Sequence, residues 1–267
     1  GGWTYNMDPK PGEGGKYRDD TSYMGWCAQA LKAAHLARLK VDGLDKAIKL
    51  AVKGFKANAA PNGGFGYCGP GSGGLTSVGT LCMQLLGASN EPEVKNSLAI
   101  IATWKPYYSS QTAIAEDLKK GGGGAPNADA LKAAKAKVAA TLSPEERMFY
   151  NASAQYYYYY ATQCKFHEGG KHWENWNKIM KPSYVKTQQI ERNAIKDAKG
   201  NVQDIGWWTN VDVHSDRPVM DTCLAALQLM VYYRYLPTTS KEAVQVEEEL
   251  SATSVDSEDI KVDTGNL

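Results

Sequence analysis

The stretch that decides the fold is "NGGFGYCGPGSGGLTSVGTLCMQLLG" (62–87), in which a glycine-rich loop runs directly into an apolar segment of helical length. Glycine-rich loops before helices also bind phosphate, but the pattern G-x-x-x-x-G-K-[ST] that such binding requires is absent from the chain. Related joints, "GGWTY" (1–5) and "IGWW" (205–208), also lie shortly before apolar, helix-like segments. We therefore interpret the stretch as the joint of a repeated helix pair.

The apolar segments that follow these joints can be aligned. "DTSYMGWCAQAL" (20–31) and "LTSVGTLCMQLL" (75–86) share Thr-Ser at the second and third places, Cys at the eighth and Gln at the tenth. "DTCLAALQLMVY" (221–232) keeps the threonine, and "AQYYYYYATQCKF" (154–166) matches mainly in its apolar pattern. Because few charges interrupt them, all four segments are predicted to be inner helices, buried on several sides.

More amphipathic segments alternate with the inner helices. Residues 43–59 have one apolar stripe at helical spacing with lysines opposite, which predicts a half-buried outer helix. Residues 90–104 predict a second outer helix, with Asn90 as the expected cap and a glutamate three residues later. Residues 172–192 predict a third, which we expect Pro182 to kink or split.

The chain repeats one order of elements: an outer helix, a Gly-Gly-aromatic joint and a buried inner helix. This order resembles the prenyltransferase and squalene-oxidase repeat of terpenoid cyclases and protein prenyltransferase β subunits. The resemblance is carried by "GGWTY…DDTSYMGWCAQALKAA", "GGFGY…TSVGTLCMQLLG" and "QYYYYYATQ…VYYRYLP", and it points especially to bacterial members. It covers about residues 1–110 and 145–237, and it implies an all-α fold, an α/α toroid in which outer helices wrap inner helices around a central cavity. Only four inner helices are visible, so we expect an incomplete ring, or association with a preceding part of a longer chain or with a second chain.

The chain is expected to contain a toroid domain, 1–239, interrupted by an insertion at about 106–143, and an acidic tail, 240–267. The tail carries a net charge of −6 and the remainder +7, so the tail is either solvated or packed back as short strands. The overall charge of +1 gives no reason to expect a nucleic-acid partner. No apolar run approaches the ~20 residues that a membrane span needs.

Acidic residues at helix starts are the first candidates for catalysis. The resemblance implies that cyclase members protonate their substrate with an Asp in a D-x-D-D or D-C-T-A-E motif, and neither motif occurs here. Asp19 and Asp20 precede the first inner helix, and Asp221 begins the last aligned segment. A catalytic role for these three is one hypothesis, and helix capping is the simpler interpretation.

The resemblance also raises the question of zinc. Protein prenyltransferases bind zinc through an Asp-x-Cys at the start of one inner helix and a His on a later one, and Asp221 and Cys223 match the first element. His214 is the nearest histidine in sequence, so the candidate metal ligands are Asp221, Cys223 and His214. A capping Asp and a packed Cys are the simpler alternative.

Aromatic residues are the candidates for ligand binding. "YYYYY" (156–160) spreads hydroxyl-bearing rings right round one helix, and in a toroid some of them would face the cavity. Such rings suit an isoprenoid, a cation or a stacked carbohydrate, although packing is the simpler interpretation. The candidates are Tyr156, Tyr157 and Tyr160, together with Cys68, whose glycine-rich loop lacks the Glu-Gln of related thioester toroids but leaves a reactive thiol as a hypothesis.

Three hypotheses on function follow, and whether the protein is an enzyme is left open. The favoured one is a toroid without the cyclase acid motif that binds an apolar, carbohydrate or protein ligand at its central cavity. The second is a zinc-dependent, prenyltransferase-like enzyme, or another transferase or lyase, that uses Asp221 and Cys223. The third is a structural module of a larger secreted or envelope protein, and the resemblance favours a secreted, periplasmic or envelope-associated bacterial location.

Overall fold

The computed structural model describes residues 2–5, 19–104, 154–208 and 218–234, and separate residues between 129 and 140. Its helices are α1 (Thr21–Leu36), α2 (Leu44–Ala57), α3 (Leu75–Leu85), α4 (Pro92–Ala102), α5 (Ala154–Glu168), α6 (Gly170–Thr187), α7 (Pro218–Leu229) and α8 (Val231–Arg234). Strands β1 (Gln189–Lys196) and β2 (Val202–Trp207) form an antiparallel hairpin. The chain divides into two compact units, 1–229 and 230–267, and only α8 of these elements belongs to the second. Most of the predicted insertion, and the whole acidic tail, lie outside the described residues.

Helices predicted as inner pack against one another in chain order. α1 contacts α3, α3 contacts α5, and α5 contacts α7. Each of the first three also contacts the helix that follows it, so α2 covers α1, α4 covers α3 and α6 covers α5. The predicted contrast between buried and half-buried helices holds for the second pair, since α3 is buried at every position from 76 to 83 whereas α4 buries only Val94, Ser97 and Ile101. It does not hold for the first pair, because α1 buries only four of its 16 residues and α2 buries three of its 14. The described chain is therefore mainly helical, as predicted.

The hairpin is the main departure from the predicted all-α fold. The outer helix expected over 172–192 runs instead from Gly170 to Thr187, with Pro182 inside it, and the chain then becomes extended at Gln188. β1 pairs with β2 from Gln189 opposite Trp207, with a bulge between Glu191 and Ile195. The prediction of helix over 188–192 was wrong because it used local periodicity, whereas a strand is stabilised by its partner strand elsewhere in the sequence.

The expected cap of the second outer helix was also wrong. α4 begins at Pro92 with Glu91 as the residue before it, so Asn90 is not the cap; proline is preorganised for the first helical position, which fixes the start there. α2 ends at Ala57, well before the glycines of the joint. Gly63 and Gly64 do adopt left-handed φ angles of 97° and 99°, but they redirect the loop rather than terminate the helix.

Aromatic residues at the joints pack against the inner helices that follow them. Phe65 is fully buried against Gly79 of α3, where any added Cβ would clash with the Phe65 ring. Its backbone N–H donates to Oγ1 of Thr76 at 3.4 Å, and that of Trp208 donates to Oγ1 of Thr222 at 3.1 Å. The aligned threonines of two inner helices therefore hold the aromatic residue of the preceding joint in the same way.

The five tyrosines of α5 are divided among three neighbours. A helix that is apolar nearly all round is surrounded in a folded protein. α5 contacts α3, α4, α6 and α7, and its tyrosines pack on α1. The ring contacts and close approaches sort the tyrosines as follows: Tyr156, Tyr159 and Tyr160 contact Trp26 of α1, Tyr157 lies against Gly74 at the start of α3, and Tyr158 contacts Trp176 of α6.

Candidate functional site

Asp20 caps α1, which confirms the simpler interpretation of this residue. Its Oδ1 accepts hydrogen bonds from the backbone N–H groups of Ser22 at 2.9 Å and Tyr23 at 3.1 Å. The hydroxyl of Tyr67 is hydrogen-bonded to the same carboxylate, which raises the pKa of Tyr67 to about 12. Asp20 is buried and has three donors, so its charge is already stabilised by the protein.

Asp19 lies at the same junction but in a different environment. It is half-buried, and burial raises the pKa of its carboxyl group. Its backbone oxygen accepts a hydrogen bond of 2.9 Å from Nδ2 of the buried Asn58, which also donates to Oγ1 of Thr21. Thr21 in turn donates to the backbone oxygen of Gly66 at 2.7 Å. The start of α1, the end of α2 and the "GGFGY" loop are therefore tied together beside the two aspartates.

A cluster of hydrogen-bonded tyrosines joins α1 to α5. Ser22 donates to the Tyr156 hydroxyl at 3.0 Å, and Nε2 of Gln29 donates to the Tyr160 hydroxyl at 3.2 Å. The Tyr159 hydroxyl donates to Oε1 of Gln29 at 2.8 Å. Burial raises the pKa of both Tyr156 and Tyr160, so these hydroxyls stay neutral.

Trp26 covers this cluster and is itself open to solvent. Its ring stacks on Tyr159, with centroids 6.1 Å apart and planes 18° apart, yet 46% of Trp26 is exposed. Two more exposed rings lie near the start of α1, where Tyr5 is 66% exposed and packs its ring 4.9 Å from that of Tyr23, and Tyr67 is 46% exposed. We call this surface the aromatic face, and its members are Tyr5, Ser22, Tyr23, Trp26, Gln29 and Tyr67.

The candidate ligand-binding residues occupy different depths. Tyr156 and Tyr160 are buried behind Trp26, and Tyr157 lies between Gly74 and Tyr156, with its ring centre 5.6 Å from that of Tyr156. Cys68 is half-buried and follows Tyr67 in the joint loop. The structure thus brings Asp19, Asp20, Tyr156, Tyr160 and Cys68 around the start of α1, and Tyr157 packs on Tyr156. The roles of these residues in binding or catalysis stay predictions.

The candidate zinc ligands do not share one environment. Asp221 is buried in the first turn of α7, whereas Cys223, two residues later, is exposed. His214 lies outside the described residues. Within the described ranges, no group of three or more His, Cys, Asp or Glu side chains is placed to hold a metal ion. Asp221 and Cys223 alone do not form a zinc site, so zinc binding and a catalytic Asp221 stay predictions.

Trp26 is the functional candidate that sequence analysis missed, although a signal was present. In the aligned inner helices, Trp26 takes the seventh place of its segment, where the second segment has Leu81. Leu81 is fully buried, whereas nearly half of Trp26 is exposed. A tryptophan that replaces a core leucine of its own repeat indicates a surface role for that position.

The opposite side of α5 carries a second polar network, which is closed. Nε2 of Gln228 donates to the Tyr184 hydroxyl at 2.6 Å, and that hydroxyl donates to Oε1 of Gln155. Trp176 donates to Oγ1 of Thr162 at 2.9 Å, which donates to Oε1 of Gln228 at 3.1 Å. All five residues are buried, so this network, which we call the closed network, ties α5, α6 and α7 together without reaching solvent.

Two bases lie near the end of α5, one on each side of the helix: Lys165 is buried and His167 is half-buried. Lys165 is 2% exposed, its Nζ lies 5.3 Å from the centre of the Trp176 ring, and burial lowers its pKa to about 8. His167 follows the side of α5 that faces α1, and burial, together with the charge of Lys32, lowers its pKa to about 4. Both groups favour the neutral form more than they would in water.

No protein-family model, curated protein or solved structure matches this chain. Among the helices in the described part of the chain, none combines the length and the apolar character that crossing a membrane demands.

Proposed function

We propose that this protein is an α/α toroid of the prenyltransferase and squalene-oxidase repeat type that lacks the cyclase acid motif and binds an organic ligand on its aromatic face. Two features support the toroid. The inner helices α1, α3, α5 and α7 are neighbours in chain order, and an outer helix covers each of the first three. The repeated contact between a joint aromatic and an inner-helix threonine, at Thr76 and Thr222, is what a helix-pair repeat requires.

The observation that carries the proposal is the exposure of Trp26 above a cluster whose hydroxyls are already paired. Exposing a large aromatic ring is unfavourable, and exposed rings that gather in one place mark binding surfaces. The tyrosines beneath Trp26 are buried and hydrogen-bonded, so they fix the platform on which it lies. A rigid aromatic surface loses little side-chain entropy when a ligand binds.

Binding rather than catalysis is favoured at Asp20 because its carboxylate already has partners within the protein. It accepts hydrogen bonds from two backbone N–H groups and from Tyr67, which commits it to capping α1. Asp19 is only half-buried, and its carboxyl pKa is raised by that burial. A partly buried carboxyl beside exposed rings can hydrogen-bond to a bound ligand, and it can equally take part in catalysis.

The proposal is tested by fluorine NMR of the protein labelled with fluorotryptophan, with Trp26→Phe used to assign the Trp26 resonance. Three probes are titrated: farnesol, tetramethylammonium chloride and a panel of neutral disaccharides. We expect at least one probe class to shift the Trp26 resonance in a saturable way. Trp207, half-buried on the hairpin, is assigned with Trp207→Phe and is the matched control whose resonance should not move.

A result in which no probe moves the Trp26 resonance, or in which the Trp26 and Trp207 resonances move together, would overturn the proposal. The first means that the face does not bind these chemical classes. The second means that the probes perturb the fold rather than occupy a site.

A further inference from the structure

We propose that the ligand of the aromatic face is a neutral sugar chain, an inference that rests on the proposed function and specifies its ligand. The juxtaposition that supports it is a set of exposed rings bordered by uncharged hydroxyl and amide groups. A pyranose has the matching chemistry, because its C–H faces stack on rings while its hydroxyls exchange hydrogen bonds at the edges.

The rings follow one another along the start of α1. Tyr23 and Trp26 are three residues apart, so they are neighbours on the helix surface. Tyr5 packs on Tyr23, and it lies close enough to Tyr67 to contribute to the raised pKa of that residue. Tyr5, Trp26 and Tyr67 are all about half exposed or more. A row of separate rings suits an extended ligand with repeated units better than one small molecule.

The polar members of the aromatic face other than its tyrosines are uncharged, and the carboxylate next to them, that of Asp20, is buried and already hydrogen-bonded to Tyr67. Ser22 and Gln29 are half-buried beside the rings and already hydrogen-bond to the tyrosines, so their positions are fixed. None of the six described members of the aromatic face carries a positive charge that would attract a phosphate or carboxylate. Its hydroxyls and amide both donate and accept hydrogen bonds, which is what the hydroxyl groups of a sugar need.

The packing beneath the face argues against an isoprenoid. An isoprenoid chain gains affinity by entering a deep apolar cavity, where most of its surface leaves water. Here the space between α1 and α5 is filled by Tyr156, Tyr159 and Tyr160, which are 8%, 1% and 0% exposed. A ligand of this face therefore lies across the ring surfaces. For a cation, the nearest fully buried carboxylate, Asp20, is already engaged by three donors.

The test is isothermal titration calorimetry of the full chain with cello-, xylo-, manno-, malto- and chito-oligosaccharides. We expect one series to bind, with affinity that rises with chain length, because successive sugar units meet successive rings. Trp26→Ala should lower the affinity about tenfold or more, as removal of a central aromatic contact usually does. Trp26→Phe, which keeps a ring, should retain more of the affinity than Trp26→Ala.

Two further variants keep the inference falsifiable if Trp26→Ala unfolds. Tyr5→Ala removes the most exposed ring and should weaken only the longer oligosaccharides, whereas Trp207→Ala on the hairpin should leave binding unchanged. If farnesol or tetramethylammonium shifts the Trp26 fluorine resonance and none of the oligosaccharides binds, the sugar assignment is wrong although the face still binds a ligand. If an oligosaccharide binds equally well to Tyr5→Ala and Trp26→Phe as to the parent protein, the sugar lies elsewhere and the assignment is also wrong.

Discussion

The two polar networks on α5 differ in their exposure to solvent, as a protein surface differs from a core. The closed network, on the side of α6 and α7, joins Gln155, Tyr184 and Gln228, and all of its members are buried. The network towards α1 is built from the same kinds of groups, but Gln29 is only half-buried and Trp26 is 46% exposed. One helix thus supports a network that can only stabilise the fold and a network that can also meet a ligand.

Burial, rather than composition, decides what each network can do. A buried amide or hydroxyl that loses its partner keeps the full cost of desolvation, so every member of the closed network depends on the others. Near the surface, water replaces a lost partner at small cost, and a ligand can take the place of that water. The comparison therefore predicts different responses to the same substitution on the two sides of α5.

The largest effect is expected from Gln228→Leu. Gln228 donates to Tyr184 and accepts from Thr162, so leucine leaves a buried hydroxyl on each of them short of a partner. We expect the free energy of unfolding to fall by about 3 kcal/mol, measured by urea denaturation. A loss below about 1 kcal/mol would mean that the closed network is dispensable.

The sequence predicted this helical frame better than it predicted the two sides of α5. The starts of the helices near Asp20 and Thr76, and the alignment of these two helices, were predictable because caps and apolar periodicity are local signals. The neighbour that each tyrosine contacts could not be predicted, because a helix that is apolar all round has no apolar stripe to show which side faces which helix. The hairpin at 189–207 was missed for a related reason, since strand pairing is set by a partner elsewhere in the chain.

His167, on the side of α5 that faces α1, should make stability fall in mild acid. Its pKa is about 4 in the folded protein, against an ordinary value of 6.5, so between these values the unfolded chain binds the proton and the folded chain does not. The contribution of neutral His167 to the free energy of unfolding is complete above pH 6.5 and is lost as the pH falls towards 4. We expect a loss of about 2 kcal/mol by about pH 5, measured by urea denaturation across this range.

His167→Gln should remove that part of the pH dependence, whatever its effect at neutral pH. His172→Gln, which removes the exposed histidine at the start of α6, is the matched control and should keep the dependence. Identical pH profiles for the parent protein and His167→Gln would mean that His167 is not held neutral by burial.

Lys165, on the side of the closed network, should show the opposite behaviour at high pH. Its pKa is about 8 in the folded protein against 10.5 ordinarily, so at neutral pH a charge is buried beside Trp176. Lys165→Met keeps the length of the side chain without the charge, and we expect the free energy of unfolding at pH 7 to rise by about 1 kcal/mol.

That gain should shrink as the pH rises from 8 to 10.5, because the folded parent protein releases the proton before the unfolded chain does. Lys178→Met, at an exposed position of α6, is the control and should change stability little at any pH. A Lys165→Met variant that is less stable at pH 7 would show that the contact of the ammonium group with Trp176 outweighs the cost of burying it.

The smallest effect on stability is expected from Gln29→Leu, and it is the substitution that tests the comparison most directly. Gln29 exchanges hydrogen bonds with Tyr159 and Tyr160, much as Gln228 does with its partners, but it is half-buried. Tyr159 and Tyr160 are buried, but Gln29 itself borders solvent, so water can approach their hydroxyls from its side. We therefore expect a loss of only about 0.5–1 kcal/mol in urea denaturation. If Gln29→Leu were as costly as Gln228→Leu, the cluster beneath Trp26 would be as closed as the network on the other side of α5. The exposure of Trp26 would then be a property of one side chain, and the aromatic face would lose its claim to be a binding surface.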